Sequence, residues 1–175
     1  MSPRRAATVV LLRPAANAGA QDERVEVLLV RRASRASFMA NAHVFPGGAV
    51  DDVDRAAAQR DGEDPEDLGA CRECARRELA EEAAVTLAKA VPLVRFARWI
   101  TPSGEGRRFD ADFFLAALPP DQTPAVDERE VFDARFLTPG AALVAAQSNL
   151  LLLPPPTYTT LWELRALART AHGDD

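Results

Sequence analysis

The sequence predicts an α/β fold, in which a mixed β-sheet carries helices on both of its sides. Three observations predict it: apolar, β-branched runs of strand length, a long central segment with helical spacing, and turn residues between them. Strand pairs followed by a helix, repeated along the chain, are typical of such a layered sheet. A chain of 175 residues is expected to form one domain, 1–175, that can bury a sizeable core.

The first half of the chain predicts two strands and then a helix. Residues 6–13 and 25–32 are apolar, β-branched runs separated by a polar connection, as in a hairpin-like pair of strands. Residues 45–48, Phe-Pro-Gly-Gly, predict a turn whose glycines permit a close approach of the backbone. A helix is expected to begin near residues 65–67, where a proline and two acids suit a helix start, and to end near Val85.

The second half predicts three more strands and two more helices. Apolar runs at 93–100 and 109–118 flank a glycine-containing turn, and they are expected to pair antiparallel. A final strand is predicted at 131–137, a helix at 139–147 and a second helix at 157–170. This last helix belongs to a C-terminal segment, 154–172, that begins with three prolines.

Composition and charge describe an ordinary globular chain. It is 47% hydrophobic and 27% charged, with a formal net charge of −5 at pH 7. This balance argues against a general nucleic-acid or anionic-membrane binder, although a few arginines can still bind a small phosphorylated ligand. No run approaches the roughly 20 apolar residues of a membrane span, and a cytoplasmic protein is expected. Cys71 and Cys74 form a lone C-x-x-C, which predicts two reduced core thiols.

The most informative stretch is residues 77–82, Arg-Glu-Leu-Ala-Glu-Glu. On a helix, Glu78, Glu81 and Glu82 share one face, so three carboxylates come together within one turn. Such crowding raises carboxylate pKa values unless a hard cation such as Mg²⁺ or Mn²⁺ is bound. The alternative is a solvated acidic face, but these glutamates border the apolar stripe of the helix. The stretch therefore predicts a divalent-metal site.

Around this stretch the sequence resembles the Nudix hydrolase family. The family signature ends in Arg-Glu-apolar-x-Glu-Glu-x-Gly-apolar, and residues 77–85 read Arg-Glu-Leu-Ala-Glu-Glu-Ala-Ala-Val. Gly48 matches the glycine that opens the signature. Gly69 stands where the family has a glutamate, and Ala84 replaces a glycine, so the end of the helix is expected to be less sharp. Residues 51–67 are an insertion within the signature, expected to form a short helical or loop excursion on the surface.

The resemblance implies a Nudix-type α/β/α sandwich with a mixed β-sheet and a bound divalent metal ion. It implies that Mg²⁺ or Mn²⁺ is held by Glu78, Glu81 and Glu82, together with the backbone carbonyl of Gly48 or of Gly47.

The resemblance also implies roles in catalysis. Glu81 and Glu82 are the catalytic carboxylates of the signature, and Glu82 is the first choice for the general base. Arg77 is expected to orient a signature carboxylate rather than to touch substrate. A further carboxylate is expected from the acidic loop that holds Asp127, Glu128 and Glu130. Glu130 is assigned because it precedes a strand as in family members, and an acidic surface loop is the alternative.

The residues that contact substrate are less clearly marked. Arg32 ends the second predicted strand, at a place where basic residues of the family often face substrate phosphates; a solvated strand end is the alternative. Gly47 and Gly48 bring the backbone close enough to receive a diphosphate. Phe38 and Tyr158 are candidates for stacking a base or lining an acyl slot, although aromatic residues are commonly part of the core.

An interrupted signature of this kind resembles the branch of the family that contains acyl-CoA diphosphatases. It implies a small-molecule partner, a nucleoside diphosphate derivative. CoA or an acyl-CoA is the favoured substrate, and ADP-ribose or a dinucleotide is the alternative. A ligand sensor or interaction module without turnover is an alternative of another class, motivated by Gly69 and Ala84. A homodimer is the assembly that the family suggests.

Overall fold

The computed structural model of the protein describes residues 2–15, 23–32, 40–125 and 131–170. Seven strands and four helices occur within these ranges. The strands are β1 (Arg4–Pro14), β2 (Val25–Arg32), β3 (His43–Val44), β4 (Gly47–Ala49), β5 (Val94–Ile100), β6 (Phe109–Ala117) and β7 (Val131–Leu137). The helices are α1 (Asp52–Arg60), α2 (Leu68–Ala83), α3 (Pro139–Gln147) and α4 (Pro155–Thr170).

The strands form a mixed sheet with the hydrogen-bonded order β3-β2-β1-β6-β5, in which β4 also pairs with β1 and β7 with β2. Strands β1 and β2 pair antiparallel, with Leu12 opposite Val27. Strands β5 and β6 also pair antiparallel, with Val94 opposite Leu115. Both pairings agree with the sequence prediction, and the α/β fold class is confirmed.

The chain divides into two compact units. The first unit consists of residues 1–10 and 46–125, and it contains the first part of β1 together with β4, α1, α2, β5 and β6. Helix α2 packs against α1, β4 and β6. It buries Ala75, Leu79 and Ala83, which form the apolar stripe that helical spacing predicts. The expectation of one domain over 1–175 stays a prediction.

The second unit consists of residues 11–45 and 126–175 and contains the end of β1 together with β2, β3, β7, α3 and α4. Helix α3 packs against β2, β7 and α4. It begins after Thr138, whose side chain accepts a hydrogen bond from the Ala141 N–H at 3.2 Å, as an N-cap does. Among the described helices of either unit, none has the length and apolar character needed to cross a bilayer.

Several element boundaries differ from the sequence prediction, and strand β3 lies outside the predicted strands. The expected turn contains β4, in which Gly48 lies opposite Ala7 of β1. Helix α2 begins after its N-cap Asp67. Helix α4 begins at Pro155 rather than at 157, because proline suits the first turn of a helix. The insertion forms α1 and a short connection to α2, as expected of a helical excursion.

The end of α2 is as sharp as a glycine would make it. Ala84 adopts the left-handed conformation, with φ = 53° and ψ = 29°, and its N–H donates to the Ala80 carbonyl. The Val85 N–H reaches back to the Leu79 carbonyl at 3.5 Å, so carbonyls of the last turn have partners. The expectation of a less sharp end is therefore wrong. The chain keeps the cap although a Cβ in this conformation costs about 1–2 kcal/mol.

Candidate active site

The glutamate face of α2 lies in the first unit, where Arg77 bonds to two of its carboxylates. Arg77 Nη1 donates to Glu78 Oε1 at 2.8 Å and to Glu81 Oε2 at 3.0 Å. The Glu78 side chain is 14% exposed, whereas that of Glu81 is 57% exposed. A positive nitrogen thus lies between two carboxylates of the predicted site, on the border between the buried and the exposed sides of α2.

Glu82 approaches the backbone of β4. The Gly47 N–H donates to Glu82 Oε2 at 3.1 Å. Neither glycine of β4 has room for a side chain. A Cβ on Gly47 would lie 2.4 Å from the Ala7 carbonyl oxygen, and one on Gly48 would lie 2.2 Å from Glu78 Oε1. A side chain at position 47 would therefore clash with the backbone of β1, whereas one at position 48 would displace the Glu78 carboxylate.

A carboxylate that the sequence analysis does not assign belongs to this cluster. Asp54, on the inserted helix α1, is 2% exposed, and Arg77 donates to it through Nε and Nη2, both at 2.9 Å. Asp54 Oδ2 also accepts the N–H of Asp51, the N-cap of α1, at 2.9 Å. Arg77 Nη2 donates to the Ala49 carbonyl at 3.2 Å as well. Arg77 is thus held by α1, by β4 and by its own helix.

The signal for Asp54 is its spacing from Gly48. Five residues separate the two, as five separate glycine and glutamate in the family signature, so Asp54 occupies the place of the glutamate. Counting backward from Arg77 by the spacing that separates glutamate and arginine in the family signature leads to Gly69 instead. A Cβ on Gly69 would lie 2.4 Å from the Asp64 carbonyl oxygen in the connection between α1 and α2. Gly69 thus allows this connection to pack on α2, while Asp54 provides the carboxylate.

The electrostatics of the cluster differ from residue to residue. Burial raises the pKa of Glu78, and Glu81 and Asp54 raise it further, while the Arg77 guanidinium opposes the rise. The hydrogen bonds to Asp54 raise the pKa of Arg77, as does the charge of Glu78. Arg77 therefore stays charged. The anionic form of Glu78 is incompletely compensated, and additional positive charge would stabilise it.

The donor chemistry around α2 fits a hard divalent cation. The oxygen donors are those of the Glu78, Glu81 and Glu82 carboxylates and of the Gly48 and Ala49 carbonyls. Mg²⁺ and Mn²⁺ prefer donors of this kind. Across the described ranges, no three His, Cys, Asp or Glu side chains form a ready metal-binding group. Arg77 bonds to Glu78 and Glu81, and the Gly47 N–H donates to Glu82. The metal ligands stay a prediction.

The two cysteines lie on the buried side of α2. Cys71 and Cys74 are free and buried, as predicted. Burial raises the pKa of Cys71 to about 11, and burial raises the pKa of Cys74 as well, so both are protonated at neutral pH. The Cys74 thiol donates to the Gly48 carbonyl at 3.5 Å. Neither thiol has the thiolate character of a nucleophile.

The other predicted residues lie in the second unit or outside the described ranges. Arg32 ends β2, and its backbone N–H donates to the Ala42 carbonyl at 3.0 Å. Its partly buried Nε has no hydrogen-bond partner within the part of the chain that the structure describes. Tyr158, on α4, is 37% exposed. Phe38, Asp127, Glu128 and Glu130 fall outside the described residues. The roles of all of these stay predictions.

Solved structures of known proteins resemble this chain over nearly its whole length. The NUDIX hydrolase from Alicyclobacillus acidocaldarius aligns with a TM-score of 0.80 and 29% sequence identity, over 94% of this chain and 92% of that one. The Ap4A hydrolase from Caenorhabditis elegans shares the fold, with a TM-score of 0.63 and 20% identity over 95% and 98% of the two chains. The Nudix-type α/β/α sandwich with a mixed sheet is therefore confirmed.

Sequence comparison leads to the same family. The human acyl-coenzyme A diphosphatase NUDT19 is 27% identical, over 87% of this chain and 63% of that protein. The chain spans 57–63% of the length of the curated relatives that it matches. The family model of the NUDIX domain matches residues 3–154. Because this match covers well over half of its residues, the chain belongs to the Nudix hydrolase family.

Proposed function

We propose that the protein hydrolyses a diphosphate linkage in a nucleoside diphosphate derivative, with Mg²⁺ or Mn²⁺ as cofactor and CoA or an acyl-CoA as the favoured substrate. The observation that carries this proposal is that three carboxylates, those of Asp54, Glu78 and Glu81, form ion pairs with the one guanidinium of Arg77. Such an excess of negative charge suits a divalent cation, and diphosphate hydrolysis uses that cation. Membership of the Nudix family supports the reaction class.

In the proposed reaction, the oxygen of a water molecule attacks one phosphorus of the diphosphate, and the bond from that phosphorus to the bridging oxygen breaks. The electron pair of the broken bond leaves with the second phosphate, so both products are phosphate monoesters. Glu82 accepts the proton of the attacking water, while the Gly47 N–H holds its carboxylate. Glu78, Glu81, Glu82 and the Gly48 carbonyl would hold the metal ion, which when bound neutralises phosphate oxygens and lowers the pKa of water.

Arg77 and Asp54 are proposed as positioning residues. Arg77 fixes the side chains of Glu78 and Glu81, and Asp54 fixes Arg77 through two hydrogen bonds of 2.9 Å. Partners of this kind orient metal ligands, and their loss commonly weakens metal binding by about 10–100-fold. The inserted helix α1 would thus support the metal site through one buried carboxylate.

The CoA assignment rests on the interrupted signature and on the similarity to the human acyl-coenzyme A diphosphatase. ADP-ribose and dinucleotides are the alternative substrates of the same reaction. The likeness to the Ap4A hydrolase, at 20% identity, concerns the fold and does not select among these substrates.

The proposal is tested by mass analysis of the products from acetyl-CoA, free CoA, ADP-ribose, diadenosine polyphosphates and NADH. Each compound is incubated with Mg²⁺, with Mn²⁺ and with excess EDTA. We expect adenosine 3′,5′-bisphosphate and a phosphopantetheine fragment from the CoA compounds, and no product in EDTA. Cleavage of another compound alone would keep the reaction and discard the CoA assignment. Metal binding without turnover of any compound would contradict the proposed activity and favour a ligand sensor.

A further inference from the structure

A separate polar cluster lies in the second unit, on the ladder of β3, β2 and β7. His43 of β3 is opposite Arg31 of β2, and Arg31 is opposite Asp133 of β7. Residues directly opposite each other in antiparallel strands point to the same face of the sheet. Arg135, two residues after Asp133, points to that face as well. One face of this ladder therefore carries an imidazole, two guanidiniums and one carboxylate.

A buried nitrogen of His43 has no hydrogen-bond partner among the residues that the structure describes. His43 is 6% exposed, and its Nδ1 makes no hydrogen bond to any residue that the structure describes. Arg135 Nε donates to Asp133 Oδ2 at 3.0 Å, yet 48% of the Arg135 side chain stays exposed. A buried polar atom without a partner costs roughly 1–3 kcal/mol. Buried side-chain nitrogens of native proteins are therefore usually met by protein, water or a ligand.

The charges around His43 favour an anionic ligand. Burial lowers the pKa of His43, Arg135 and Arg31 lower it further, and Asp133 opposes them. The cluster carries one more positive than negative charge, in a chain with a formal net charge of −5. A bound anion can accept from the Arg135 guanidinium and from a protonated His43 Nδ1, which are charge-assisted hydrogen bonds.

We propose that His43 and Arg135 form a binding site for a phosphate monoester, in which Arg31 adds positive charge and Asp133 orients Arg135. A phosphate monoester offers three acceptor oxygens and a charge of about −2 near neutral pH, which suits a guanidinium beside an imidazole. CoA carries such a group on its ribose, separate from the diphosphate that is cleaved, and this assignment rests on the proposed function. Free inorganic phosphate is the other source of the same chemistry.

The first experiment measures binding without turnover. Inorganic phosphate is titrated into the full chain at constant ionic strength, with EDTA present so that no metal ion brings phosphate to the α2 glutamates. NMR follows the imidazole of His43, which a His172→Gln variant assigns because the chain has only two histidines. We expect a saturable shift and a higher pKa of His43, because a bound dianion stabilises the imidazolium. The absence of a saturable shift would overturn the proposal.

Two matched variants locate the anion. Arg135→Gln removes the guanidinium from a half-exposed position, and it is expected to weaken phosphate binding about tenfold, as the loss of a charge-assisted hydrogen bond predicts. Arg24→Gln is the control, because Arg24 is an exposed arginine of the same unit that precedes β2. Equal phosphate affinity in Arg135→Gln and the wild type would overturn the site. Partial recovery in Arg135→Lys, which keeps the charge, would support it.

Turnover then identifies the source of the phosphate. The ratio of kcat/KM for CoA to that for dephospho-CoA is measured with Mg²⁺ for the wild type, Arg135→Gln and Arg24→Gln. A ratio that falls about tenfold in Arg135→Gln alone assigns the site to the monoester of the substrate. Phosphate binding with an unchanged ratio assigns it to free phosphate. Phosphate binding without turnover of either compound would contradict the proposed activity while supporting the anion site.

Discussion

Two charged clusters of the first unit use carboxylates in opposite ways. In the box cluster, on α1 and α2, one arginine bonds to three carboxylates: Arg77 to Asp54, Glu78 and Glu81. In the sheet cluster, on β1, β5 and β6, three arginines bond to three aspartates. Arg5 bonds to Asp110, to Asp112 and to Asp67, which is the N-cap of α2. Arg95 also bonds to Asp112, and Arg98 also bonds to Asp110. The sheet cluster is balanced in charge, whereas the box cluster is not.

The balance decides what each cluster can do. Asp112 is fully buried, and it accepts from Arg5 and from Arg95, both at 2.6 Å. Hydrogen bonds from Arg98 lower the pKa of Asp110, whereas burial raises the pKa of Glu78. A carboxylate like Asp110 is already stabilised as an anion, while Glu78 gains from further positive charge. The comparison indicates that the sheet cluster stabilises the fold and that the box cluster is the one suited to a metal ion.

The largest effect is expected from Glu82→Gln, which removes the proton acceptor beside the box cluster. Its kcat should fall by about 10²–10⁴, the range for the loss of a general base, while the free energy of unfolding changes little. Steady-state kinetics with Mg²⁺ measures it. Glu66→Gln is the matched control, because Glu66 is 78% exposed and, within the described ranges, forms its ion pair with Arg55, away from the box cluster. Equal kcat in the two variants would remove Glu82 from the mechanism.

The sheet cluster should respond in stability instead. Asp112→Asn leaves Arg5 and Arg95 without their buried carboxylate, and breaking such a pair costs about 3 kcal/mol or more of unfolding free energy. The melting temperature should fall by roughly 6–12 °C in calorimetry. Asp67→Asn is the control, since the Asp67 side chain is 62% exposed and an exposed pair contributes about 1 kcal/mol at most. A loss of Mg²⁺ affinity in folded Asp112→Asn would contradict the division between the clusters.

The box cluster should respond to Asp54→Asn in metal affinity, in addition to the stability that is lost when a buried ion pair is broken. Without its two-point partner, Arg77 no longer fixes Glu78 and Glu81, so Mg²⁺ affinity measured by calorimetric titration should fall about 10–100-fold. Adding Gly69→Glu should not restore the affinity, because position 69 faces the connection between α1 and α2. Recovery of Mg²⁺ affinity in that double variant would show that position 69, and not Asp54, corresponds to the glutamate of the family signature.

A smaller effect is expected in acid. The hydrogen bonds from Arg98 hold the folded-state pKa of Asp110 below its unfolded value, which is about 3.9. Its contribution to the free energy of unfolding is therefore present above that unfolded pKa and is lost as the pH falls through the folded pKa. The unfolding free energies of the wild type and Asp110→Asn, measured with urea, should differ at pH 7, begin to converge below about pH 4 and come closest below the folded pKa. A difference that stayed constant into acid would exclude this ion pair as its cause.

Local patterns predicted most of the fold, and long-range contacts account for what they missed. Strand β7 and helix α3 occur at the predicted residues because the N-cap Thr138 lies between them and Pro139 begins the helix. The glutamate face was predictable because its three members lie within one helical turn. Asp54 was not assigned, because the insertion places it 23 residues from Arg77. The sheet cluster pairs Arg5 with Asp112 across 107 residues, and no local periodicity reports such a contact.

The smallest effect concerns the end of α2, one residue beyond its buried last turn. Ala84→Gly should raise the free energy of unfolding by about 0.5–1 kcal/mol, because relief of left-handed strain exceeds the added entropy of the unfolded chain. Ala83→Gly is the matched control: Ala83 is helical and fully buried, so the same change should destabilise by about 1 kcal/mol or more. Neither residue bonds to Arg77, so Mg²⁺ affinity should stay unchanged in both variants. If denaturant unfolding showed Ala84→Gly to be as destabilised as Ala83→Gly, Ala84 would not adopt the left-handed conformation in solution. Helix α2, which carries the glutamates of the box cluster, would then end in another way.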